Sequence, residues 1–168
     1  MLVADQNSNK LVPANESARR YLLFRLDQEL FATPLADIKE LVEKIPYKVV
    51  PNTSKYLLGV INLKGQIVTV LDLRVRFNLK TKNEINTYII FQNKSGNLAA
   101  LVDNIEAIEK FLPSQIEQSN MLKIEVPQEY LYGVIRYKEE NVTVIDLMNL
   151  MSNSETNAIQ DNIIKEAV

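Results

Sequence analysis

The chain has 168 residues, 46% hydrophobic and 24% charged, with 19 basic and 21 acidic side chains for a net charge of −2. That balance suits one domain with a proper core, or two small units sharing one, and not a disordered chain. Cysteine and histidine are both absent, which excludes disulfides, thiol nucleophiles, most zinc sites and the usual hydrolytic triads.

Residues 1–18 are polar and aperiodic, and a loose tail is expected there. The start has no basic region followed by an apolar core, and no apolar run approaches the ~20 residues of a membrane span. A cytoplasmic chain without membrane insertion is the expectation. From Tyr21 the pattern changes: Tyr21–Leu26 reads as a strand, residues 27–29 as a turn and Leu30–Pro34 as its partner. Leu35, Ile38, Leu41 and Val42 fall at helical spacing and predict a short helix over 35–42. Tyr47–Val50 reads as extended and Ser54–Leu57 as another turn of helix. Leu58–Leu63 and Gln66–Leu71 form a hairpin about Lys64-Gly65, and Asp72 caps a short helix over Leu73–Phe77. Further strands follow at Tyr88–Phe91, Leu98–Val102 and Ile105–Phe111, then a loop over 112–128 and a hairpin over Tyr132–Asp146. Ser152 and Glu155 make a capping-box start for a C-terminal helix over 152–168, with Ile159, Ile163 and Ala167 on one face.

An internal repeat is the strongest signal. Residues 56–73 align without a gap with residues 130–147, and 11 of 18 positions are identical, among them Gly59/Gly133, Val60/Val134, Val70/Val144 and Asp72/Asp146. Tyr21–Phe24 echoes Tyr88–Phe91, and Ile38 and Pro46 echo Ile105 and Pro113. Two copies are too few for a solenoid, which needs at least ~3. They suggest twin small β-barrels packed together, each of which alone would bury only a marginal core.

The run Gly59-Val-Ile-Asn-Leu-Lys-Gly-Gln-Ile-Val-Thr-Val-Leu-Asp-Leu-Arg-Val-Arg-Phe77, with Tyr21–Phe24 and Ile38–Leu41, resembles the CheW family of chemotaxis coupling proteins from Tyr21 to about Met151. The resemblance implies a mainly β fold, two intertwined five-stranded SH3-like barrels with a core between them, short helices and a C-terminal helix. It divides the chain into a tail (1–18), a CheW-like domain of two pseudo-repeated subdomains (19–151) and the final helix (152–168). It implies a scaffold with no cofactor and no metal, coupling the cytoplasmic tips of methyl-accepting chemoreceptors to the regulatory domain of the histidine kinase CheA within receptor arrays. Receptor binding falls on Ile38, Glu40, Leu41, Asn62 and Lys64, with Glu40 and Lys64 close together beside a groove. Kinase binding falls on Gly59, Leu58 and Val50. The family usually has Arg at the position of Lys64 and Pro at that of Thr69. Lysine keeps the charge but not the planar fork.

Other readings are weaker. Asp72 and Asp146 could suggest an aspartic dyad, but Leu73-Arg74 and Leu147-Met148 follow them where that chemistry needs a small turn, so they read as helix caps. Gly59 and Gly133 can be pure backbone devices, and Arg74 and Arg76 read as a solvated face. An enzyme would need a carboxylate or lysine site, and no clustered motif supports one. A nucleic-acid binder would need a basic groove, and the charge balance argues against it. A coupling protein of a parallel chemosensory system, such as one for type IV pilus motility, is the near alternative.

Overall fold

The computed structural model describes residues 2–4, 11–13, 16–80, 87–94, 96–118 and 126–167. Near the N-terminus β1 (Leu2–Ala4) pairs antiparallel with β2 (Leu11–Pro13). The sequence repeat then appears as two runs of five strands. The first run is β3 (Arg19–Leu26), β4 (Glu29–Pro34), β5 (Ile38–Glu43), β6 (Leu57–Leu63) and β7 (Gln66–Asp72). The second is β8 (Thr87–Asn93), β9 (Gly96–Val102), β10 (Asn104–Phe111), β11 (Leu131–Tyr137) and β12 (Glu140–Ile145). Helices are few: α1 (Leu73–Arg76), α2 (Asn153–Ala167) and single 3₁₀ turns such as Leu147–Asn149.

The two runs do not make one sheet each. One five-stranded sheet has the order β10-β3-β4-β12-β11 and the other β5-β8-β9-β7-β6. Each sheet therefore takes two of its three inner strands as a hairpin from the other repeat, joined by the parallel pairs β12–β4 and β7–β9. The expected fold of two intertwined five-stranded units is what forms. Both sheets curl, because strands at opposite edges feed one cluster. Phe111 of β10 and Ile135 of β11 share a core with Tyr21, Leu23 and Val142. Val42 of β5 and Ile61 of β6 share another with Val68, Tyr88 and Leu101. A third core lies between the sheets, where Phe24, Phe31 and Phe77 stack at centroid distances of 5.9 and 5.6 Å. Strand β3 serves two cores at once: Leu22, Phe24 and Leu26 face the central one, Tyr21 and Leu23 their own sheet's. That is why Tyr21–Phe24 reads as a continuous apolar run and not an alternating one.

Three local expectations change. Residues 35–42 are a 3₁₀ turn, Leu35–Asp37, followed by strand β5 with a bulge between Ile38 and Glu40. Pairing with β8 overrides the helical spacing, and its half-buried and exposed side chains alternate as an edge strand requires. Ser54–Leu57 closes one i→i+3 turn through the Leu57 amide and Ser54 carbonyl, 2.9 Å, and goes no further. Within 112–128, Pro113–Gln115 is a 3₁₀ turn and Gln128 begins another; residues 119–125 lie outside the described ones. At the chain's end the reciprocal capping box forms. The Ser152 amide donates to Glu155 Oε2 at 2.9 Å and the Glu155 amide to Ser152 Oγ at 3.3 Å. Ile159 is buried, while the side chains of Ile163 and Ala167 lie outside the described residues.

Candidate functional site

Lys64 and Gly65 form the two-residue turn between β6 and β7, at φ 52° and 82°, the left-handed pair of a type I′ hairpin. Asn62 closes the turn, its Oδ1 accepting from the Gly65 amide at 2.9 Å. The turn delivers Lys64 Nζ to within 2.8 Å of Glu40 Oε2 on β5, with side chains 75% and 35% exposed. Ion pairing in that much water contributes only ~0–1 kcal/mol to stability, so the pair is a surface feature, not a prop. Around it Lys39 Nζ donates to Asn97 Oδ1 at 3.0 Å and Asn97 Nδ2 to Gln66 Oε1 at 2.8 Å, linking β5, β9 and β7. Leu41 is exposed, and Ile38 is half-buried against the central core. Of the five residues assigned to receptor binding, Glu40 and Leu41 on β5, Asn62 on β6 and Lys64 in the turn have atoms open to solvent, and Ile38 is the inner one.

The residues assigned to kinase binding sit differently. Gly59 has φ +151°, and a Cβ there would lie 2.1 Å from the Lys48 carbonyl oxygen. Segment 47–50 crosses it, held by two 2.8 Å hydrogen bonds between Lys48 and Val60. Val50 is buried and Leu58 is half-buried against its own sheet's core. Gly59 and Val50 meet Leu57, Val60, Thr69 and Ile159 of α2 around one small cavity. Val49, which sequence reasoning passed over, is 65% exposed. Alternation was the available signal: adjacent valines on an extended segment face opposite sides, so one must point out. The second repeat copies the device, with Gly133 at φ +153° against Glu117 and a Glu117–Val134 bridge.

Asp72 and Asp146 are caps, accepting from the amides of Arg74 and Met148 at 2.9 Å each. Arg74 and Arg76 are not a solvated face. Arg74 is buried between Asp72 (3.1 Å) and Asp103 (2.8 Å), so it ties the first repeat to the second. Arg76 lies over the repeat-related rings of Tyr56 and Tyr130, at 4.4 and 5.2 Å, and bonds the Tyr130 hydroxyl and Glu155. Burial pushes the Glu155 carboxyl up, but the facing Tyr56 hydroxyl, Ser152 and the Arg76 guanidinium together hold it below its ordinary value. The Tyr56 hydroxyl itself faces the carboxylate short of good hydrogen-bond geometry. Among the described residues no group of three or more acidic side chains is placed to hold a metal ion, and no helix is long and apolar enough to cross a membrane.

A family model described as a CheW-like domain matches residues 20–155. The chain belongs to the CheW-like family. A chemotaxis protein CheW of Klebsiella aerogenes is 28% identical over 149 residues, spanning 88% of this chain and 89% of the relative. One of Helicobacter pylori is 27% identical over 146 residues, spanning 82% and 84%. Among solved structures the scaffolding protein TtCheW from Thermoanaerobacter tengcongensis superposes with a TM-score of 0.75 at 20% identity, over 86% of this chain and 94% of that one. The fold is therefore shared, and the relatives that span most of this chain are named as chemotaxis proteins.

Proposed function

We propose that the protein is a chemotaxis scaffold that couples methyl-accepting chemoreceptors to the histidine kinase CheA and performs no chemistry of its own. The observation that carries the reading is the exposed Glu40–Lys64 pair at 2.8 Å, with half-buried Ile38 on the same strand β5, while Gly59 and Val50 meet around a separate small cavity. A charge pair worth little to the fold is free to be spent on a partner, and an apolar margin beside it suits a helical receptor tip. Two separate surfaces let one molecule hold two partners, and modest differences in affinity between signalling states then suffice for coupling. In this reading residues 19–151 are the coupling domain between a tail and a final helix, and the protein works in the cytoplasm at receptor arrays.

Calorimetry with the isolated kinase regulatory domain, with a receptor-tip fragment, and with both together tests it. Binding to each and a ternary complex with both are expected. Binding to neither overturns the reading.

A further inference from the structure

Helix α2 is attached to the sheets in an economical way. Its capping box and the 3.3 Å Arg76–Glu155 contact hold the first turn, and among the helix residues with described side chains Ile159 alone is buried. A helix of 15 residues is marginal in water by itself, so its order depends on that docking. Beneath Ile159 lie Val50, Leu57, Gly59, Val60 and Thr69. Val50, Leu57 and Thr69 keep 6–7% exposure, whereas core neighbours such as Val70 and Leu71 keep none. Leu57 and Ile159 pack in the central core, and Val50, Val60 and Thr69 line the small cavity beside them. The margin of the patch is apolar and open. Ile67, two residues before Thr69 on β7 and so on its face, is 50% exposed.

We infer that α2 is a displaceable cover on the kinase-facing surface: it swings off through release of Ile159 and the Glu155–Arg76 contact, and the kinase regulatory domain takes its place on Val50, Val60 and the face of β7 from Ile67 to Thr69. This rests on the proposed kinase reading of the Gly59 surface and adds the element that regulates it. The cover lowers apparent affinity by the fraction of molecules in which it is open. An open fraction of about one in ten makes removal of the cover worth about tenfold in affinity.

The test uses the full chain and its Ile159→Asp variant, in amide exchange and in calorimetry with the kinase regulatory domain. In the native protein α2 amides should exchange through a local opening that leaves β3, β4 and β12 protected. Ile159→Asp should strip protection from α2 alone and tighten kinase-domain binding five- to tenfold. Exchange of α2 only together with the sheets, or equal or weaker binding by a variant whose sheets stay protected, overturns the inference. Should Ile159→Asp loosen the sheets as well, Glu155→Gln, which weakens only the first-turn contact, must still raise affinity or the cover is rejected. If neither protein binds the kinase domain, the kinase reading fails and the covered face is not its site, whatever the exchange shows.

Discussion

Lys64 sits at the tip of a type I′ turn with three-quarters of its side chain in water, and it pairs with Glu40. Lys64→Glu is therefore expected to leave the melting temperature within a few degrees of the native value, since the pair contributes at most ~1 kcal/mol. The same change should reduce receptor-fragment affinity at least tenfold, because two acids then face the receptor. Lys64→Arg should bind as well as the native protein or better, as it regains the planar fork at unchanged charge. Normal receptor binding by Lys64→Glu in calorimetry would remove the charge pair from the interface. Gly59 is the opposite kind of residue. A methyl group there meets the Lys48 carbonyl at 2.1 Å, so Gly59→Ala should cost about 1–3 kcal/mol in urea unfolding. A loss of kinase binding in a Gly59 variant would then report the fold and not the interface. Ile67→Asp is the cleaner probe: exposed in the free protein and on the Thr69 face of β7, it should lower kinase-domain affinity while leaving the unfolding midpoint alone. Sequence alone made Gly59 a candidate because the repeat and the family both mark it. It could not separate a glycine needed for backbone approach from one needed by a partner, since the crossing segment 47–50 is a tertiary contact.

The two hairpins of the repeat differ in their turns. Lys64-Gly65 supplies a glycine at the second left-handed position, whereas Lys138 and Glu139 sit at φ 45° and 65° with no glycine. Left-handed conformation in an ordinary residue is a standing cost of order 1 kcal/mol. Glu139→Gly should stabilise the protein by about 0.5–1 kcal/mol, the relief of strain exceeding the added freedom of the unfolded chain. An unchanged or lower unfolding midpoint would show that the turn is relaxed as it stands. Helix α2 has a pH dependence of known sign. Its Glu155 carboxyl is held below the ordinary value, so its contribution is complete above the unfolded pKa near ~4.3 and is lost as pH falls through the folded one. Protection of α2 amides should fall on acidification below about pH 4.5 and hold steady from there to neutrality. Elements differ in how much sequence says about them. The β6–β7 turn, the Asp72 cap and the capping box of α2 carry their causes within a few residues, and each forms as expected. Strand β5 does not, because Leu35, Ile38, Leu41 and Val42 fit a helical face while Ile38, Glu40 and Val42 alternate equally well. The arbiter is its register with β8, from Ile38 opposite Phe91 to Glu43 opposite Thr87, which no local pattern encodes.

At the scale of the whole molecule the repeat in the sequence and the division into sheets do not coincide. Identity between residues 56–73 and 130–147 reveals that two equivalent units exist. It is silent on whether the strands before each run pair within their own unit or across, because inner strands buried on both faces look alike in either arrangement. Across is what occurs. Hairpin β3–β4 lies between β10 and β12, and hairpin β8–β9 lies between β5 and β7. Deprived of the donated hairpin, each sheet is a two-stranded ribbon and a detached edge strand, which is below what holds together in water. The central core is divided as well, since Phe24, Phe31 and Phe77 come from the first repeat while Ile89, Phe91 and Ile145 come from the second. Arg74, desolvated between Asp72 of its own repeat and Asp103 of the other, would keep only half of its compensation, and a buried charge with a partner removed costs several kcal/mol. The halves 1–80 and 87–168, expressed as separate chains, should therefore each lack cooperative unfolding and protected amides. Mixed, they should associate one to one and regain the sheet spectrum by circular dichroism, with a midpoint that rises with concentration. A half that folds cooperatively on its own would mean that its strands can close without the exchanged hairpin, and the cross-pairing would then be a consequence of linkage in one chain and not the condition for either sheet to exist.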